Sequence, residues 1–430
     1  MKYLLDILYL IAFIVYLPKI FYRRFAENRY KKGGSNRLGY VSRKSGKPRC
    51  IWIHSVSMGE VNATKTLVDA LRTQLPDTEI VMSTTTDTGY ERAQTLYGKD
   101  MSVFYYPFDF SWAVKRAFNI IKPDLCVLVE LEVWPNFVQT AKQRGIPVVV
   151  FNGRLSDKSF PRYKKIKRLT NWMFDKVSLF LVQSQEYADK FAALGVPKEK
   201  IAVTGSVKYD TAQVTDIIEG SGRLAESLGI DKSQRLFVAG GTGPDEEKII
   251  LDVYAGLKAR FADLRLAIVP RKPERFSEVA SLIEKAGFGL VRYSEIKNSA
   301  SAPIPAAGTV ILGDTMGDLR KFYSLAEIVF VGRSLCPMGG SDMMESTAMG
   351  RFTAFGPHTF NFKQTVDVLL KDNGAIEVAD QKALETVIEK ALSDDEYRKT
   401  IAANGQRIIA ENQGATEKSV KAIIGLLDKN

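Results

Sequence analysis

The chain has 430 residues, 45% of them hydrophobic and 25% charged; that length exceeds what one hydrophobic core organises, so two domains are expected and a disordered chain is excluded. Lys and Arg outnumber Asp and Glu by 60 to 49, a net charge of +11 that favours an acidic partner or surface, whether anionic lipid, nucleic acid or a phosphorylated substrate. Three widely spaced cysteines (Cys50, Cys126, Cys336) and two histidines (His54, His358) exclude a disulfide framework, a zinc site and a multi-histidine metal centre.

Residues 4–17 are apolar except for Asp6, and Pro18 and Lys19 end the run. As a helix it would be about 21 Å long against a hydrocarbon core of roughly 30 Å, short for a span unless Tyr3 and residues 20–22 extend it. No small-residue cleavage site follows, as a signal peptide would require. Lys19, Arg23, Arg24, Arg29, Lys31 and Lys32 follow instead, a flank suited to the cytoplasmic side and to anionic headgroups. The expectation is a membrane anchor with a basic flank over residues 1–32; the alternative is a buried N-terminal helix.

Beyond it, short apolar runs alternate with helical stretches. Strands are expected at 50–54, 79–83, 102–106, 125–129, 147–151, 179–182 and 201–204, then at 235–239, 265–269, 289–293, 309–312, 328–331, 352–355 and 375–378. Runs rich in Val, Ile and Leu without alternation suit parallel strands buried on both faces. The intervening helices make βαβ units, hence an α/β class with two doubly wound, Rossmann-like domains. The boundary is expected within 209–234, which lacks a strand-like run, giving domains over 33–215 and 216–430 with the last helices free to pack back on the first.

Ligands of such sheets bind beyond the carboxyl ends of the strands, where the distinctive residues fall. Gly59-Glu60 follows the first strand; its carboxylate either complements a helix dipole or takes a proton from an incoming hydroxyl. Glu130-Leu131-Glu132-Val133-Trp134-Pro135-Asn136 sets two acids after a buried strand, paired at a helix start or functional. Asn152-Gly153-Arg154 ends another. In the second half, Gly240-Gly241-Thr242-Gly243 lets backbone N–H groups approach a phosphate, although Asp245, Glu246 and Glu247 oppose deep placement of one. Pro270-Arg271-Lys272 puts cations at a strand end, either a phosphate or carboxylate clamp or a solvated charge run. The glycine pair Gly339-Gly340, followed five residues later by Glu345, suggests a nucleotide site.

Taken together, residues 54–60, 130–136, 152–156, 313–319, 339–345 and 355–362 resemble, in order, the 3-deoxy-D-manno-octulosonic acid (Kdo) transferases, over nearly the whole chain. The resemblance implies a glycosyltransferase-B fold whose two domains face a central cleft, and an inverting transfer of Kdo from CMP-Kdo to a tetraacylated, bisphosphorylated lipid A precursor in lipopolysaccharide synthesis. Further implied are action at the cytoplasmic face of the inner membrane, no cofactor and no metal. Glu60 looks like the general base, and Glu130 with Lys208 like the pair that stabilises charge in the transition state. Pro270, Arg271, Met316, Gly317, Asp318, Asp342, Met343, Met344 and Glu345 look like the CMP-binding set.

A departing phosphate monoester suits Arg271 and helix N-termini, and inversion suits a lone base on the first domain. Arg162, Lys164, Lys165, Lys167 and Arg168 are expected either to meet the acceptor phosphates or to form a solvated helix face. The chain departs from the family pattern at Ser341-Asp342-Met343-Met344, and at Gly243-Pro244 and Lys272, where a His is frequent. Competing readings are a two-domain transferase using a UDP-sugar or CMP-sialic acid, and a non-catalytic basic lipid- or nucleic-acid-binding protein. Dispersed cations and acids at strand ends speak against the nucleic-acid partner.

Overall fold

A computed structural model describes residues 2–26, 32–212, 214–231, 233–297, 306 and 308–429. Of the basic flank, Arg29 and Lys31 lie outside the described residues, as do the side chains of Lys19, Arg23 and Arg24. The chain divides into two compact units, Met1–Thr211 with Gln413–Asn430, and Ala212–Asn412.

The first unit is built on seven strands: β1 (Arg49–Ser55), β2 (Thr78–Thr84), β3 (Ser102–Tyr105), β4 (Leu125–Val129), β5 (Val148–Gly153), β6 (Leu179–Val182) and β7 (Ile201–Val203). All pairings are parallel, in the order β3-β2-β1-β4-β5-β6-β7. β1, buried from Cys50 to Ser55, shows why the sheet is covered on both faces. Cys50 and Trp52 join one core with Phe104, Phe118 and Phe137, while Ile51 and Ile53 join another with Val61, Leu67 and Val68. Period-2 alternation puts apolar side chains on both sides, so no polar face is left to read. His54 continues the strand, buried and stacked on Tyr106 at 3.9 Å between ring centroids. Burial pushes its imidazole down to about 3, so it stays neutral.

Helices start where the sequence supplies caps. Ser57, Thr86 and Ser184 accept from the N–H groups of Glu60, Gly89 and Tyr187. Pro135 opens the helix Pro135–Gln143. The helix Ala415–Leu427 closes this unit, its first turn held by Asp210, whose carboxylate accepts from Gly414 and Thr416, and with Ile423 and Leu427 in the core. The two helices before it, Gln381–Ser393 and Asp395–Glu411, belong to the second unit.

The N-terminal helix Lys2–Ala26 contains Pro18 and exposes Ile7, Leu8, Leu10, Ile11, Ile14 and Val15. Among the described residues, no helix is long and apolar enough to cross a membrane.

The second unit repeats the plan with β8 (Arg235–Thr242), β9 (Leu264–Pro270), β10 (Leu290–Arg292), β11 (Val310–Leu312), β12 (Ile328–Val331), β13 (Phe352–Phe355) and β14 (Ile376–Glu377). These too are all parallel, in the order β10-β11-β9-β8-β12-β13-β14. Each expected apolar run coincides with one of these strands to within a few residues at its ends.

Candidate active site: two switch points

The strand order reverses between β1 and β4 in the first sheet and, in the second, where β11 is also inserted between β9 and β10, between β8 and β12. A crevice opens there because the connections leave in opposite directions.

At the first switch point Glu60 follows β1, and Glu130 and Glu132 follow β4. Ser57 and Glu60 form a capping box: Ser57 Oγ accepts from Glu60 N, and the Glu60 carboxylate accepts from Val56 N at 2.8 Å and Ser57 Oγ at 2.9 Å. The cap fixes the rotamer of this carboxylate at the carboxyl end of β1. Burial holds that carboxyl above the usual range and the Glu130 charge adds to the effect, against its hydrogen bonds from Val56 and Ser57. Glu132 is pushed up to about 7 by burial and then by Glu60, with the Trp134 indole N–H, at 3.2 Å, opposing. Burial of Glu60 and Glu132, together with the Glu60 charge felt by Glu132, favours a proton on one of these two.

Glu130 adopts a left-handed backbone at φ 58°, and Asn152 at the end of β5 does the same at φ 55°. Such conformations are uncommon outside glycine and cluster where a side chain must be re-aimed. The turn brings Glu130 against Arg154, at 2.8 Å. The ion pair on Glu130 is made by Arg154, and Lys208 is exposed beyond β7. Lys208 is tied in indirectly, because Asn152 Oδ1 accepts from the adjoining Val207 N at 3.4 Å. Arg154 was visible in the Asn-Gly-Arg motif, but nothing in the spacing tells which acid it meets.

At the second switch point β8 ends in Gly240-Gly241-Thr242-Gly243 and β12 runs into Gly332-Arg333. A Cβ on Gly241 would lie 2.6 Å from Ser341 Oγ, and one on Gly332 would lie 2.5 Å from Thr242 Cα, so glycine permits the close approach. Glu246 lies directly against this loop. Glu246 is fully buried and turned inward, accepting from the backbone N–H groups of Gly243, Arg333, Ser334 and Leu335. Glu247 pairs with Arg275. Both carboxylates are thus engaged by residues that line the pocket of Thr242, Gly243, Arg271, Lys272, Arg275 and Arg333: Glu246 by Gly243 and Arg333, Glu247 by Arg275.

The expected CMP-binding residues divide here. Pro270 ends β9 and the exposed Arg271 follows it, its N–H donating to Thr242 O. Glu345 lies in the first turn of the helix Met344–Ala348, and burial and Asp342 push its carboxyl up to about 7 against Arg320 and Arg271. Asp342 Oδ1 accepts from Met344 N, and Met343 and Met344 bury their side chains in the core. Met316 is exposed and Gly317 has φ 91°. Asp318 is already engaged: although burial opposes it, Lys297, Lys321 and Thr315 hold it down at about 2. Its visible work is to fix the 315–321 turn. Arg162, Lys164, Lys165, Lys167 and Arg168 are exposed on and beside two short helices, Phe160–Lys165 and Lys167–Phe174.

The fold recurs in solved structures. A glycosyltransferase from Rickettsia africae matches 90% of this chain and 100% of its own with a TM-score of 0.55 at 12% identity. A putative UDP-N-acetylglucosamine 2-epimerase from Listeria monocytogenes matches 89% and 97% with a TM-score of 0.55 at 13% identity. The family model of 3-deoxy-D-manno-octulosonic-acid transferase (kdotransferase) matches residues 32–211. The 3-deoxy-D-manno-octulosonic acid transferase of Haemophilus influenzae is 35% identical over 94% of this chain and 93% of its own, and that of Chlamydophila psittaci 30% identical over 97% and 94%. This chain belongs to that glycosyltransferase family.

Proposed function

We propose that this chain transfers Kdo from CMP-Kdo to the tetraacylated, bisphosphorylated lipid A precursor, with inversion, in a glycosyltransferase-B arrangement of its two units at the cytoplasmic face of the inner membrane. The observation that carries this is Glu60, a carboxyl of raised proton affinity held by a capping box at the sheet's switch point, in a chain of this family. Glu60 takes the proton of the acceptor hydroxyl as that oxygen attacks the anomeric carbon. Glu130, oriented by Arg154, and Lys208 stabilise the charge that develops there.

CMP leaves carrying a phosphate charge. Arg271 and the glycine-lined backbone after β8 receive it, and Asp342 and Glu345 meet the nucleoside. The exposed cations Arg162 to Arg168 suit an acceptor with two phosphates, and the exposed apolar side chains of the helix Lys2–Ala26 suit shallow burial in the lipid interface. Calorimetric titration with CMP and UMP tests the donor: CMP is expected to bind more tightly, and a preference for UMP would overturn the reading in favour of a UDP-sugar enzyme.

A further inference from the structure

Asp6 is the one charged residue in the apolar run at the N-terminus, and the structure gives it partners far along the chain. Its carboxylate accepts from Ser111 N at 2.8 Å, from Ser111 Oγ at 2.6 Å and from Asn136 Nδ2 at 3.2 Å. One turn further along the same helix, the Tyr9 hydroxyl donates to Asp109 Oδ2 at 3.0 Å, and its ring meets Phe110 edge-on. Asp109 is buried, and its carboxylate accepts from Asn136 N and Phe137 N, both at 2.9 Å. Its carbonyl accepts from Asn136 Nδ2 as well.

Asp6 reaches the start of the helix Pro135–Gln143, directly after Glu130, Glu132 and Trp134, through Asn136, and Tyr9 reaches it through Asp109, while the Ser111 and Phe110 contacts hold the start of the helix Ser111–Ile121. A simple tether needs no such bonds, because apolar burial alone would hold it at a lipid surface. Here a polar face of the helix is fastened to the segment that carries two of the three crevice carboxyls, while Ile7, Leu10, Ile11 and Ile14 remain exposed.

We propose that the N-terminal helix is a positioning element of the active site: through Asp6 and the Tyr9–Asp109 bond it fixes the 130–137 segment, so that docking at the lipid surface and orientation of Glu130 and Glu132 are one event. The inference rests on the assignment of the β1/β4 crevice as the catalytic one. Asp6, Tyr9 and Asp109 are positioning residues, since they act through Asn136 and Phe137.

The test uses the full-length chain, with Tyr9→Phe and Asp6→Ala compared in detergent micelles, where tethering is irrelevant, and on phosphatidylethanolamine–phosphatidylglycerol vesicles. The expected result is a fall in kcat of roughly tenfold, the scale of a displaced catalytic group, with acceptor KM, vesicle binding and the thermal midpoint little changed. Asp6→Asn, which keeps one acceptor oxygen, should recover most of the loss. Unchanged kcat in both variants would overturn the inference, as would a kcat that falls only in step with vesicle binding, the behaviour of a plain tether. Amide exchange at Asn136 and Phe137 reads the latch without reference to activity. Faster exchange in Tyr9→Phe supports it even if no Kdo product forms, in which case it is the catalytic assignment that fails; unchanged exchange sinks the latch itself.

Discussion

The two switch points are built from opposite materials. After β1 and β4 stand carboxyl groups, Glu60, Glu130 and Glu132, of which burial raises the proton affinity of the first and third. After β8 and β9 stand glycines and cations, with the nearby acids already bonded: Glu246 to four backbone N–H groups and Glu247 to Arg275. One crevice is suited to accept a proton and the other to accept a negative charge. A single fold thus takes on both halves of a transfer reaction by what it places at the strand ends.

Substitutions break this contrast in graded steps. Glu60→Gln should cost turnover about 10²- to 10⁴-fold, the usual contribution of a general base, with CMP affinity intact; a rate assay beside a CMP titration separates the two. Glu246→Ala should destabilise the second unit by about 3–5 kcal/mol, because a buried charge network loses its centre, and denaturant unfolding measures it. Arg271→Ala should leave the fold alone and weaken CMP binding by about 1.5–3 kcal/mol, the value of a charge-assisted bond; unaltered binding would remove Arg271 from the donor site.

The smallest effect concerns pH. Glu132 and Glu345, both held at about 7 in the fold, bind protons more tightly there than in the unfolded chain. Their contribution to stability is therefore full below the ordinary carboxyl range, near pH 4.5, and is lost as pH rises through about 7. The thermal midpoint of the ligand-free protein should drift down between pH 5 and 8, and Glu132→Gln should flatten that drift. A drift that persists unchanged in this variant would place the titration elsewhere.

Much of the fold was legible because parallel strands buried on both faces, such as residues 125–129 and 328–331, are unbroken apolar runs with turn chemistry at their ends. The site was legible as positions. Acids and glycines after such runs announce strand ends, and Glu60, Glu130 and Arg271 all sit there. Partners were not legible, because they depend on backbone turns. The left-handed Glu130 turns onto Arg154, and Glu246 turns onto the backbone N–H groups of Gly243, Arg333, Ser334 and Leu335. Nor does anything in the local sequence around Asp109 foretell its bond to Tyr9, 100 residues away. Asp6 was the exception, a charge out of place in an apolar run, and it marked a contact.

The most direct test of the account is to incubate the full-length chain with CMP-Kdo and the tetraacylated lipid A precursor and to weigh the lipid product by mass spectrometry. The expected product has gained one or more whole Kdo residues, and the gain is abolished or nearly so in Glu60→Gln. An unmodified lipid with the intact chain, or the same yield from Glu60→Gln, would contradict it.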